Sequence, residues 1–174
     1  DDHIINLSVP AIVDGEDLTF RLYAGGASNS VGTWSIDSVK VEGYELLPLS
    51  ARVLLEGPLA GSLMNDGLHT GGLIPLLEPY SALGHTPTEN ASVVITANAL
   101  SNLGNGEAIV DWVFVELRSA SDAGIVVASQ ALLLERDGDI VATDGYRRPH
   151  FDVPLVPYYV VVRHRNHLPV MTAG

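Results

Sequence analysis

The run "AIVDWVFVELRS" (residues 108–119), with "IVVASQALLLER" (125–136) close behind it, decides the fold class. Both segments are long and rich in β-branched or aromatic residues, which favours strands. The runs "ALLL" (131–134) and "VVV" (160–162) would be apolar on both faces, as in strands covered on two sides. The dipeptide "DG" (137–138), shortly after "ALLL", predicts a type I′ turn, in which both central residues have positive φ. The stretch therefore predicts antiparallel hairpins.

Further short strands are predicted on either side of this stretch, at 49–57, 91–97, 139–145, 150–155 and 158–166. Short strands at such spacing favour an all-β antiparallel sandwich, jelly-roll or immunoglobulin-like, over residues 46–174. The predicted core of this domain contains Val113, Val115, Val127, Leu133, Val160 and Val162.

Residues 57–90 form a loop-like region that is rich in glycine and proline but also in leucine. An irregular segment this long is uncommon in a compact domain, and one so apolar would not lie free in water. We expect it to pack across an open end of the core, with a short helical turn near 73–82.

Residues 1–45 predict a separate β-hairpin segment. "LTFRLYA" (18–24) and "TWSIDSVKVEG" (33–43) alternate in polarity and are joined by a Gly/Ser/Asn-rich loop. A lone hairpin is marginal in water, so this one should pair with the following sandwich or with another chain. The expected interface residues are Leu18, Phe20, Leu22, Trp34 and Ile36.

The composition limits the compartment and the partners. The chain has a net charge of −12, a single lysine (Lys40) and no cysteine. Such a negative charge repels phosphate backbones and anionic lipid, which argues against nucleic acid as a partner. No apolar run reaches the roughly 18 residues of a membrane-spanning helix, so we expect no membrane insertion. An acidic, lysine-poor composition is typical of secreted bacterial proteins, so we expect an extracellular or cell-surface location.

Five segments carry a resemblance to a known family: "LEGPLAGSLMNDGL", "IPLLEPY", "VDWVFVELRSA", "VVASQALLLERDGDIVATDG" and "YYVVVRHRNHLPVMTA". They are collinear within residues 52–173, which resemble a C-terminal module of large secreted or cell-surface, hemagglutinin-like bacterial proteins. Residues 1–45 are similar to the closing hairpin of a jelly-roll module of the kind that often binds sugars. The resemblance implies a surface-exposed, modular and non-catalytic domain without naming a ligand.

The basic segment "RHRNH" (163–167) is a candidate metal or ligand site. On a continuous strand His164 and His167 would point to opposite faces, which is unsuited to joint metal ligation. We favour structural ion pairs from Arg163 and Arg165 to carboxylates such as Glu116, Asp111 or Glu135. Ligand contact and metal binding remain alternatives.

No sequence pattern indicates catalysis. A G-x-S-x-G elbow is missing, and without cysteine there is no thiol nucleophile, so we expect no enzyme. "DGD" (137–139) with Asp144 hints at calcium, but the EF-hand pattern is absent and a simple turn is favoured. No other cofactor is expected.

Sugar binding by a β-sandwich usually requires exposed aromatic rings, and aromatic residues make up only 6% of the chain. Trp34 and Trp112 alternate with apolar residues and fit a core better than a sugar platform. The remaining candidate rings are Tyr80, Tyr146, Tyr158 and Tyr159.

Two functions follow. The first is a structural or adhesion building block that assembles by strand pairing with copies of itself or with neighbouring modules of the same surface protein. The second is a carbohydrate-binding module of a secreted enzyme or adhesin, with a polysaccharide as partner.

Overall fold

A computed structural model describes residues 45–173 of the chain. The predicted hairpin of residues 1–45, with its proposed interface residues Leu18, Phe20, Leu22, Trp34 and Ile36, lies outside the described residues apart from Glu45. The domain boundary near residue 45 therefore stays a prediction.

The described elements follow in chain order. The strands are β1 (Leu47–Pro48), β2 (Leu59–Ala60), β3 (Leu63–Met64), β4 (Ile109–Ser119), β5 (Asp122–Glu135), β6 (Ile140–Val141), β7 (His150–Phe151), β8 (Tyr158–His164) and β9 (His167–Met171). Helix is confined to the four-residue α1 (Gly67–Thr70) and a 3₁₀ turn (Ser81–Leu83). None of the described helices has the length and apolarity required to cross a membrane.

One five-stranded sheet dominates, in the order β6-β5-β4-β8-β9, and every strand pair in it is antiparallel. Two two-stranded pairs, β1 with β7 and β2 with β3, complete the described strands. The all-β antiparallel prediction is confirmed. These strands do not by themselves establish a sandwich of two full sheets.

The central hairpin β4–β5 forms where the sequence predicted it, and core lies on both of its faces. On one face Val113, Val115 and Leu132 pack against the chain around β1, β3 and β7. On the other, Trp112 and Leu133 pack against the loops that carry Ile74, Tyr80 and Ile95. Burial on two sides explains why the two strands have almost no polar alternation.

The predicted core is confirmed at Val113, Val115 and Leu133, which are fully buried. Val160 and Val162 are partly buried and pack against the same cluster as Val113. Val127 was predicted wrongly, since it is 40% exposed. It lies in the first half of β5, where exposure is nearly continuous and the pairing with β4 shifts register.

Four of the shorter predicted strands are largely irregular. Segment 49–57 has one isolated bridge, at Arg52, and segment 91–97 has one, at Val94. Segments 139–145 and 150–155 contribute only two residues each, in β6 and β7. Their backbone groups bond to loops instead, as when the Ile95 amide donates to the Leu76 carbonyl. Apart from β6, which pairs with β5, these short apolar runs cover the five-stranded sheet and are not strands of it.

The region 57–90 packs on the core as expected, although unevenly. Met64, Ile74 and Tyr80 are buried. The 3₁₀ turn at Ser81–Leu83 begins inside the predicted helical window. Several of its leucines are exposed: Leu59, Leu73, Leu76, Leu77 and Leu83.

The β5–β6 turn is present, but type I′ was the wrong prediction. Gly138 has φ of 99°, whereas Asp137 is not among the residues of positive φ. The Glu135 amide donates to the Asp139 carbonyl across a three-residue loop, and the Gly138 amide donates to the Glu135 carbonyl. This is the three-residue hairpin with glycine in the left-handed position. A Cβ at Gly138 would lie 2.8 Å from the Val53 carbonyl oxygen. Glycine is therefore required both by the positive φ and by this close approach.

Candidate functional site

β8 does not continue to residue 166 as predicted. It ends at His164, the chain turns at Arg165 and Asn166, and β9 returns antiparallel from His167. His164 and His167 are therefore cross-strand partners, and the prediction that they point to opposite faces is wrong. Their Nδ1 atoms lie 2.9 Å apart and their ring centroids 4.8 Å apart.

The hydrogen bonds around His164 assign its tautomer. The Asn166 amide donates to His164 Nδ1 over 3.2 Å, so Nδ1 carries no proton. His164 Nε2 therefore carries it and donates to Asp111 Oδ2 over 3.1 Å. His167 Nδ1 lies 2.9 Å from the same His164 Nδ1 and donates to it only in the tautomer that carries its proton on Nδ1. Two imidazole nitrogens alone do not complete a metal site, and the described residues supply no third ligand to this pair within 4.8 Å.

Asp111 is the centre of a buried charge network. Its side chain is 1% exposed and accepts hydrogen bonds from Arg165 Nη2 at 2.8 Å and from the Trp112 amide at 2.8 Å, besides the one from His164. Burial alone would raise the pKa of Asp111, but the hydrogen bonds from His164, Trp112 and Arg165 outweigh it and hold the pKa below its usual value.

Glu116 forms a second charge centre further along β4. Arg163 Nε donates to its Oε1 over 2.7 Å, and Arg118 Nη2 lies 2.6 Å from its Oε2. Burial opposes ionisation of this carboxyl, yet the two guanidinium groups keep the pKa of Glu116 below its usual value. Of the three carboxylates suggested as arginine partners, Glu116 contacts Arg163 and Asp111 contacts Arg165. Glu135 contacts neither in the described residues.

We expect Arg163→Ala to lower the free energy of unfolding by about 1 kcal/mol, the low end of the range for an unpaired buried group. The loss is small because Arg118 still holds Glu116. Denaturant unfolding measures it, with Arg52→Ala as a control because the Arg52 side chain is 62% exposed. If Arg163→Ala loses ligand binding at unchanged stability, the basic segment binds a ligand and its structural role is refuted.

Three carboxylates meet at the β5–β6 turn. Oxygens of Glu135, Asp137 and Asp139 lie within 4.8 Å of one another. Asp144, suggested as part of a calcium loop, is not in this group and instead accepts hydrogen bonds from the amides of Tyr146 and Arg147. The sequence signal that was missed is the alternation of acidic residues at 135, 137 and 139.

The most exposed apolar strand is β9, at the end of the large sheet. Leu168 is 90% exposed, Val170 53% and Met171 50%. Val170 lies opposite Val162 on β8, so the exposed surface continues from side chains that pack on the core. Among residues 45–173 no strand pairs with the outer side of β9.

The opposite edge of this sheet is covered. Beside β6, the Ile140 amide donates to the Ala51 carbonyl and the Val53 amide donates to the Gly138 carbonyl. Segment 51–53 thus occupies the hydrogen-bonding groups that a second chain would need. The open edge and its apolar surface are therefore both at β9.

The aromatic residues do not form a sugar platform in the described part of the chain. Tyr80 and Trp112 are buried, and the Tyr80 hydroxyl donates to the Trp112 carbonyl over 2.9 Å. Tyr158 and Tyr159 are half-buried, which leaves Tyr146, 61% exposed, as the one fully accessible ring of residues 45–173. A stacking surface usually needs more than one ring.

No protein-family model, curated protein or solved structure matches this chain.

Proposed function

We propose that the chain is a non-catalytic extracellular building block, bacterial in origin, that assembles by adding a strand of one copy to the β9 edge of another. The observation that carries the proposal is the fall in burial across one sheet, from β4, which is buried over nine of its eleven residues, through the half-buried β8, to the exposed β9. A sheet edge that is both unpaired and apolar is the acceptor that strand addition uses.

We propose residues 18–24 as the segment that is added, because their sequence pattern predicts a strand. Leu18, Phe20 and Leu22 alternate with polar residues and would place three apolar side chains on one face. Covering an apolar side chain fully contributes roughly 1.5–3 kcal/mol. Leu168 and Val170 would gain most, since they are exposed in the isolated chain.

The edge has only part of the usual protection against association. Lysine is the common guard of natural edge strands, and the only lysine of this chain is Lys40. Pro169 in β9 is a partial guard, because it has no amide to donate to an added strand, so such a strand must pair with the remaining backbone groups of β9. The resemblance to surface modules supports an extracellular, modular setting for such an edge.

We expect the double variant Leu168→Lys, Val170→Lys to abolish assembly, because two ammonium groups on an edge disfavour covering it by another strand. Light scattering coupled to size exclusion measures the change from large species to monomer. The matched control is Leu103→Lys, which replaces a leucine of 56% exposure outside the sheet and should leave assembly intact. Assembly retained by the double variant would refute the β9 interface.

A carbohydrate-binding module is the second candidate, favoured by the exposed Tyr146 ring with the Arg147 guanidinium 5.4 Å from its centroid. Retention of a monomeric protein on a polysaccharide column, lost in Tyr146→Ala, would support it over the building block.

A further inference from the structure

The turn between β5 and β6 contains a buried carboxylate, Glu135, beside two other carboxylates. Within residues 45–173 the side chain of Glu135 has no hydrogen-bond or ion-pair partner, although it is only 5% exposed. Buried acidic groups are normally paired or bind a metal ion. Glu135 thus differs from Asp111 and Glu116, which each hold two or more donors.

We propose that Glu135, Asp137 and Asp139 bind a calcium ion. Their carboxylate oxygens lie within 4.8 Å of one another, a separation that two ligands of one ion at 2.3–2.6 Å can span. All three donors are oxygen atoms, the ligand type that calcium prefers over nitrogen and sulfur. The ion would provide the partner that Glu135 lacks.

The backbone holds the three carboxylates in one place. The Glu135 amide donates to the Asp139 carbonyl, and the Asp137 amide donates to the Gly106 carbonyl. Asp137 Oδ1 accepts the Asp139 amide over 3.0 Å. The side chains of Asp137 and Asp139 are 30% and 56% exposed, so an ion can reach the group from solvent.

Arg52 lies at the outer rim of the site. Its Nε is 3.4 Å from Asp139 Oδ1, and its Nη2 is 4.0 Å from Asp137 Oδ2. The Arg52 side chain is 62% exposed and does not contact Glu135. Arg52 Nε also donates to the Asp137 carbonyl over 2.7 Å. Arg52 therefore partly neutralises the half-buried Asp137 and the exposed Asp139. It leaves the buried Glu135 for the ion, with which Arg52 competes.

Calcium is expected to raise the melting temperature of the full chain. Extracellular calcium modules have dissociation constants of about 10⁻⁴–10⁻³ M, so about 10 mM CaCl₂ should raise the melting temperature by roughly 3–10 °C. Magnesium at the same concentration should give a much smaller rise, because it requires near-ideal octahedral geometry.

The variant Glu135→Gln should lose the calcium-dependent rise and remain folded. Glu56→Gln, at an exposed glutamate, is the matched control and should keep it. Isothermal titration should give one ion per chain, a dissociation constant at least tenfold weaker for Glu135→Gln, and a tighter one for Arg52→Ala. The proposal is overturned by no rise in wild type, by equal rises with magnesium, or by a rise retained in Glu135→Gln. An Arg52→Ala variant that binds calcium more weakly would also count against it.

Discussion

Replacing Asp111 with asparagine is expected to lower the free energy of unfolding by about 3 kcal/mol, the lower limit for breaking a buried ion pair. Every group that faces this carboxylate is a donor: the Trp112 amide, His164 Nε2 and the Arg165 guanidinium. An asparagine would set its own NH₂ group against one of them. The loss stays near the lower limit because the Arg165 side chain is 24% exposed and can reach water.

Chemical denaturation at pH 7 measures this loss, with Asp122→Asn as the control. Asp122 is exposed at the first position of β5, and its replacement should change stability by less than about 0.5 kcal/mol. Because the pKa of Asp111 is lowered in the folded state, its contribution is present above the unfolded pKa near 3.8. It is lost as pH falls through the lower folded pKa, so the difference between wild type and variant should shrink in strong acid. A loss below about 1 kcal/mol at pH 7 would contradict the network.

Replacing Glu135 with glutamine should raise the free energy of unfolding at high pH when a chelator is present, whereas replacing Asp111 lowers it. Burial raises the pKa of Glu135 to about 7, with help from the charges of Asp137, Glu107 and Asp139. The folded state therefore binds this proton more tightly than the unfolded state does. The stabilisation from protonation is full below the unfolded pKa near 4.5 and is lost as pH rises through about 7.

The difference between pKa 4.5 and about 7 corresponds to roughly 3.5 kcal/mol, at ~1.4 kcal/mol for each pKa unit. Solvent screening at this turn lowers the expected cost of the ionised carboxylate at pH 8.5 to roughly 2–3 kcal/mol. Glu135→Gln removes the charge while keeping the shape, so it should recover most of that amount at pH 8.5 and little at pH 4.5. Unfolding curves at the two pH values measure it, with Glu56→Gln, at an exposed glutamate, as the control. Destabilisation by Glu135→Gln at pH 8.5 would mean that this carboxylate has a favourable partner without any metal.

The sequence was sufficient to predict the central hairpin β4–β5 but not the short strands that surround it. β4 and β5 are long and rich in β-branched, aromatic and aliphatic residues, so local preference and burial point to the same structure. β1, β6 and β7 contain two residues each, and their positions depend on which loop packs against the sheet. Such short pairings follow from tertiary contacts and leave no periodic pattern in the sequence.

The edge strand was missed for an identifiable reason. The turn at Arg165 and Asn166 contains no glycine, and Pro169 argues against a strand unless that strand lies at an edge. Because the turn was not predicted, His164 and His167 were assigned to opposite faces of one strand and their contact was not foreseen. The acidic group at the β5–β6 turn was predicted only in part. The "DGD" pattern indicated Asp137 and Asp139, but Asp144 was taken as the third acidic residue in place of Glu135.

The most direct test of assembly through β9 is disulfide trapping between two different copies. Because the chain has no cysteine, Val170→Cys and a second chain with Leu18→Cys, Phe20→Cys or Leu22→Cys each carry a single thiol. A disulfide forms only where the Cβ atoms approach to about 4 Å, so mixing and oxidising the two proteins reports strand pairing between chains. We predict a mixed disulfide-linked dimer, resolved by mass spectrometry, with at least one of the three partners and with none when Leu103→Cys replaces Val170→Cys. A chain that stays monomeric, or that gives no mixed dimer through Val170→Cys, would contradict strand addition at this edge.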